Sequence, residues 1–228
     1  MLPPSELARE VVRRLDAEHG RPTWHQRMPP LEELIACILS QHTSDANSHR
    51  AYQRLRERFP KWEMVLQAPT SEVEEAIRPG GLANSKAPRI QAALRAIAEH
   101  TGGEVSIDFL YAMDTESARR YLLSLPGVGP KTAAIVLCFS LGRPVIPVDT
   151  HVFRVSWRLG FFDRKVGEAR AHDLLQQVVP EEDIYAFHVH LIRHGRTVCK
   201  AQRPRCEQCV LADICAYRPL AKVSTSAR

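Results

Sequence analysis

Cys199, Cys206, Cys209 and Cys215 are spaced C-x6-C-x2-C-x5-C within 17 residues, close enough for four thiolates to close around one metal centre. A cubane iron–sulfur cluster and a structural zinc ion both take four cysteines, so ligand count alone leaves the metal open. Zinc modules usually pair two short C-x2-C units. One such unit with longer outer spacings tilts the reading toward iron–sulfur. Arg193, Arg196, Lys200, Arg203 and Arg205, with His194 among them, lie between and around these thiols. A metal-clipped loop that holds cations in place makes a phosphate-contacting surface; otherwise it is a solvated basic face. Cys37 and Cys138 fall inside apolar helical patterns and read as small buried hydrophobes.

A second group of residues addresses phosphate through the backbone. Leu125-Pro126-Gly127-Val128-Gly129-Pro130-Lys131-Thr132-Ala133 lies between two helical patterns, residues 115–123 and 131–141. This is a helix-hairpin-helix signature. Gly127 and Gly129 allow a sharp turn that presents N–H groups, Val128 plugs the gap between the helices, and Pro130 suits a first helical turn. The next helix begins with its positive end at the same point. Such a nest binds a nucleic-acid phosphate, with Gly127, Val128, Gly129 and Thr132 as candidate contacts. A glycine-rich turn without a ligand is the plain alternative, and a phosphate grip is not in itself catalysis.

The elements that must carry these groups read as helices. Leu31, Leu34, Ile35, Ile38 and Leu39 form one apolar stripe behind Pro29-Pro30. Leu7, Val11, Val12 and Leu15 form a second, Ile90, Leu94, Ile97 and Ala98 a third, and Leu174, Leu175, Val178 and Val179 a late one. Prolines at 60, 69, 79, 88, 126, 130, 144, 147 and 180 each suit a loop or a first helical turn. Strand alternation and hairpin dipeptides are nearly absent, so the expected fold is all-α with about ten short helices. The tail after Tyr217 is polar and expected to fray.

The 228 residues, 44% hydrophobic and 25% charged, suit a folded chain of one or two domains. Net charge is +5, unevenly spread: residues 1–124 hold 16 basic and 17 acidic residues, and residues 125–228 hold 15 and 9. A basic half suggests a polyanionic partner. The start has no 7–15-residue apolar run and no stretch approaches 18 apolar residues, so neither a secretion signal nor a membrane span is expected and the expected location is cytoplasmic. Disulfides are correspondingly disfavoured.

LPGVGPKTA at 125–133, PVDTHVFRV at 147–155, GLANSKA at 81–87 and the four-cysteine spacing occur in an order that resembles the endonuclease III family of DNA glycosylases. The resemblance runs from about residue 24 to 215. It implies two helical domains with a cleft between them: a six-helix domain over 23–143 carrying the hairpin, and residues 1–22 plus 144–228 carrying a [4Fe–4S] cluster. It further implies that Lys131 is the catalytic amine, Asp149 the catalytic carboxylate, and Cys199, Cys206, Cys209 and Cys215 the cluster ligands. Leu82 matches the residue that wedges into the duplex, and His151 follows the carboxylate in the VDTH run. The sequence departs from the family at ILSQHTSD, residues 38–45. The glutamine that fills the void left by a flipped nucleotide is commonly found where His42 stands, and here glutamine is at Gln41. Ala83 replaces an aromatic residue often found after the wedge.

Chemistry agrees with those residue types. A base leaves deoxyribose through an oxocarbenium-like sugar, which an anion such as Asp149 stabilises. Lys131, as the neutral amine, captures C1′; the positive end of its helix and desolvation in a pocket both disfavour the ammonium form. The Schiff base then permits β-elimination of the 3′ phosphate. The expected activity is therefore a bifunctional glycosylase and lyase of base excision repair, removing oxidised pyrimidines from duplex DNA as a monomer. Lys131 as a surface lysine and Asp149 as a helix N-cap are the plain alternatives. A non-catalytic helix-hairpin-helix protein that recognises damaged or bent duplex, and a zinc-stapled version of either, stand beside the leading expectation.

Overall fold

A computed structural model describes residues 2–217, so the tail after Tyr217 lies outside the described residues. Among them are eleven α-helices and no strand: α1 Pro4–His19, α2 Pro30–Ser40, α3 Asp45–Arg58, α4 Trp62–Gln67, α5 Thr70–Ile77, α6 Ala83–Thr101, α7 Thr115–Ser124, α8 Pro130–Ile135, α9 Thr150–Leu159, α10 Glu168–Val178 and α11 Ile184–Thr197. Short 3₁₀ turns link several of them. No helix is long and apolar enough to cross a membrane among the described residues.

The chain divides into two compact units. One is Gln26–Arg143; the other joins the segment up to His25 with the segment from Pro144 onward. In the first, α2 packs on α3, α6 and α8, and α5 and α4 pack on α6. All five residues of the α2 stripe are buried, which fixes one face of that helix inward. Glu33 is buried on the same helix and is ion-paired with Arg27, whose guanidinium lies 4.5 Å from the Phe139 ring. Asp114 caps α7 by accepting the Ser117 N–H at 2.9 Å. In the second unit, α11 packs on α9 and α1, with Leu7, Val11, Val12 and Leu15 of α1 buried.

Three local expectations require correction. Pro88 is neither in a loop nor in a first turn: α6 starts at Ala83, so Pro88 sits inside it. A proline there cannot supply the N–H for the bond back to residue 84, and the helix continues because later residues bury Ile90, Leu94 and Ile97. The pattern over 131–141 is not one regular α-helix. Past α8 it widens into a π-helical turn, Val136–Ser140, in which the Leu141 N–H reaches the Val136 carbonyl at 3.2 Å. In α10 the inward residues are Ala171, His172 and Leu175, while Leu174 and Val178 are only half-buried.

Leu94 is fully buried on α6, against which α4 and α5 pack. Leu94→Ala is expected to lower unfolding free energy by about 2–5 kcal/mol, measured by denaturant titration.

Candidate functional site

The hairpin begins where α7 ends at Ser124. Gly127 has φ +79°, a region that disfavours side chains, and an ideal Cβ there would meet the Arg89 side chain at 3.4 Å. Val128 is buried, as expected of a plug, and its N–H is bonded to the Leu125 carbonyl at 3.2 Å. Gly129, in extended conformation, is the N-cap of α8, and its carbonyl accepts the Ala133 N–H at 3.0 Å. Lys131 is exposed on the first turn of α8, so the desolvating pocket expected around it is not supplied by its own surroundings. Thr132 is 6% exposed. A side chain so covered offers little surface to a ligand, so a DNA contact at this position would be made through its backbone.

Two other turns of the same unit carry residues matched to duplex distortion. Leu82 stands at the N-cap of α6, 52% exposed, with φ +52°. His42 follows α2, exposed, with φ +53°. Gln41 is half-buried at the C-cap of α2, its N–H on the Ile38 carbonyl at 3.3 Å. Left-handed backbone is uncommon for residues other than glycine, and uncommon backbone clusters at functional positions.

In the second unit Asp149 is half-buried and caps α9, with Oδ1 accepting the Val152 N–H at 2.7 Å. The carboxylate therefore has a structural task whatever its chemical one. His151 lies one turn before Arg154, whose guanidinium donates to the His151 Nδ1 at 3.0 Å, the Gly195 carbonyl at 2.9 Å and the Cys199 carbonyl at 3.2 Å. Nδ1 is thus an acceptor. Burial holds the ring below its usual range, with Asp149 opposing and Arg154 reinforcing the shift. Lys131 belongs to the Gln26–Arg143 unit and Asp149 to the other.

The four C-terminal cysteines line a single pocket together with Val155, Leu159 and Leu211, and none is bridged to another. The donor set suits a cluster with four thiolate ligands. Arg158, 5% exposed, donates to Cys199 Sγ at 3.3 Å and to the carbonyls of Lys200 and Ala201 at 2.7 and 3.0 Å. His194 Nε2 lies 3.4 Å from Cys209 Sγ. Burial pushes the Cys209 thiol up to about 11, so a metal is what would keep it deprotonated. Lys200, Arg203 and Arg205 are all exposed on this loop. Arg154 and Arg158 were missed by pattern reading, because arginines at four-residue spacing on a helix look like a solvated face.

A family model of HhH-GPD superfamily base excision DNA repair proteins matches residues 35–181, and one of the iron–sulfur binding domain of endonuclease III matches residues 199–215. Fold and hairpin thus define a helix-hairpin-helix base excision repair protein. Endonuclease III of Escherichia coli is 37% identical over 210 residues, covering 92% of this chain and 94% of its own. That of Thermotoga maritima is 34% identical over 212 residues, covering 93% and 92%. A solved structure of a trapped endonuclease III–DNA covalent intermediate superposes with TM-score 0.82 at 32% identity, covering 97% of this chain and 100% of that one. The chain belongs to the endonuclease III family: it is a base excision repair DNA glycosylase whose C-terminal domain carries a [4Fe–4S] cluster.

The cap and the charge of Asp149 can be separated. Asp149→Ala is expected to destabilise the protein by about 1 kcal/mol, whereas Asp149→Asn, whose amide oxygen still accepts the Val152 N–H, leaves the thermal midpoint nearly unchanged in calorimetry.

Proposed function

We propose that this protein is a bifunctional glycosylase and abasic-site lyase that removes oxidised pyrimidines from duplex DNA. The observation that carries the reading is the exposed primary amine of Lys131, placed two residues past Gly129 on the first turn after the hairpin. An amine there reaches a sugar whose phosphate is gripped by the adjacent backbone. The relative captured as a covalent intermediate with DNA supports the same chemistry.

In this reading Lys131 Nζ forms a bond to C1′ as the glycosidic bond breaks, and the base departs with the electron pair. Asp149 stabilises the positive charge that develops on the sugar. Ring opening gives a protonated Schiff base, which acidifies C2′. Loss of that proton and departure of the 3′ phosphate with the C–O electron pair nick the strand, and water then releases the lysine. Leu82 enters the stack beside the lesion, and His42 or Gln41 occupies the space the flipped nucleotide leaves. Gly127, Gly129 and the Thr132 backbone hold phosphate, His151 lies beside the carboxylate, and Lys200, Arg203 and Arg205 contact the duplex backbone. Cys199, Cys206, Cys209 and Cys215 hold the cluster, which serves here to clip that basic loop.

Incubation with an abasic-site duplex and borohydride is expected to give a covalent protein–DNA adduct that Lys131→Ala abolishes. No adduct, or one unchanged by the substitution, overturns the lyase. A non-catalytic damage-recognition protein would bind the duplex and give neither adduct nor product. Arg203→Gln or Arg205→Gln is expected to weaken binding to all duplexes alike and to reduce the slope of log affinity against log salt by roughly one counterion per lost contact, read by fluorescence anisotropy.

A further inference from the structure

Lys86 is 1% exposed, which is exceptional for a residue whose charge costs heavily to remove from water. Its ammonium donates to two backbone carbonyls, Leu39 O at 2.7 Å and Gly80 O at 2.8 Å. These oxygens belong to segments distant in sequence: Leu39 is in the last turn of α2, and Gly80 ends the 3₁₀ turn Arg78–Gly80. Burial lowers the lysine's proton affinity, the direction expected when its partners are neutral oxygens.

Each carbonyl leads directly into a strained turn. Three residues after Leu39 comes His42 at φ +53°, and two residues after Gly80 comes Leu82 at φ +52°. Only one other non-glycine residue among the described ones, Arg203, has positive φ. The 3₁₀ turn that ends at Gly80 is itself closely packed. A Cβ on Gly80 would lie 3.0 Å from Ala51 Cβ and 4.0 Å from Lys86 Nζ, so the 3₁₀ turn is seated directly on α3 and on the ammonium. Lys86 is itself anchored to the second strained turn, because its own N–H bonds to the Leu82 carbonyl at 2.9 Å. One residue therefore joins the ends of both strained turns from inside the protein, while His42 and Leu82 point outward.

We infer that Lys86 is a positioning residue for duplex opening: its buried ammonium locks the His42 turn and the Leu82 turn into one rigid element that enters DNA together. The inference rests on the proposed reading in which Leu82 enters the stack and the turn carrying Gln41 and His42 fills the void, here taken with His42 as the group that does so. Neither turn is regular helix, and each needs an external constraint to keep a bulky side chain in the left-handed region. A wedge that gives way when pushed against stacked bases cannot open them. The lysine supplies stiffness at the point where load arrives and touches no substrate itself.

The test compares one abasic site in two contexts: fully paired duplex, and the same strand within a short unpaired bubble, where opening is already done. Two readouts are taken, single-turnover strand cleavage and the fluorescence of 2-aminopurine placed opposite the site, which rises on unstacking without any chemistry. Lys86→Met, which fills the same volume without donors, is expected to slow cleavage and reduce the fluorescence rise on paired duplex by roughly 10- to 100-fold and to leave the bubble substrate within a few-fold of the parent. Leu82→Ala is expected to show the same selectivity. Gly80→Ala keeps the lysine but lifts the turn off α3, and it decides the question through the same selectivity if Lys86→Met does not fold. Equal losses on both substrates in the folded variants mean general structural support, and no loss on either means no role; each overturns the clamp. Leu82→Ala and His42→Ala without effect on paired duplex overturn the underlying reading of those turns.

Discussion

A cation taken out of water and given carbonyl oxygens as partners holds those oxygens in place, because any movement leaves charge facing an apolar surrounding. Each unit of this protein uses that constraint behind an irregular segment. In the Gln26–Arg143 unit Lys86 ties Leu39 O to Gly80 O. In the other unit Arg158 ties the carbonyls of Lys200 and Ala201 and reaches Cys199 Sγ, while its own carbonyl accepts the Tyr217 N–H at 2.9 Å. Helices can be positioned by apolar stripes, but turns that must keep their outer side chains available have little apolar surface of their own. Directional bonds from within supply what packing cannot.

The same asymmetry explains what could be read from the amino-acid order. Apolar periodicity exposed α1, α2 and α6 because Leu15, Leu34 and Leu94 are buried for the reason that made them conspicuous. The hairpin and the cysteine loop were legible because glycine at a turn and thiols at short spacing have few other uses. Lys86 and Arg158 were not legible: a lysine or arginine inside a helical pattern looks like a residue reaching into water, and only the tertiary arrangement shows it reaching carbonyls. Pro88 misled for a related reason, since proline's local cost is real and tertiary burial of the same helix outweighs it. The π-helical turn Val136–Ser140 left no mark at all, because an extra residue in a wholly buried segment changes register without changing composition.

Asp149 shows how one residue can satisfy both the plain and the chemical reading. An N-cap needs one acceptor oxygen, and Oδ1 supplies it to Val152. A carboxylate has a second oxygen, and the positive end of α9 favours negative charge at that position. Fixing one oxygen in the cap restricts the side chain's rotation, so the charge is held at a defined place. In the proposed reaction the cap would aim the anion rather than compete with its use, and asparagine is the replacement that keeps the cap while removing the charge.

Leu82 and His42 present the reverse situation, in which local structure is worse than it needs to be. Glycine would adopt φ near +52° without strain, and a leucine there costs about 1–2 kcal/mol. Gly81 already stands next to Leu82 with φ +68°, so the turn has a neighbour suited to unusual backbone and still carries a large apolar group at the next position. That group is half-exposed, so its burial does not offset the strain. The buried Lys86 ammonium braces the turn at the Gly80 carbonyl, and within the turn a half-exposed leucine carries a strain that glycine would avoid. In the proposed reading, what offsets that strain is the contact Leu82 makes with the duplex it enters.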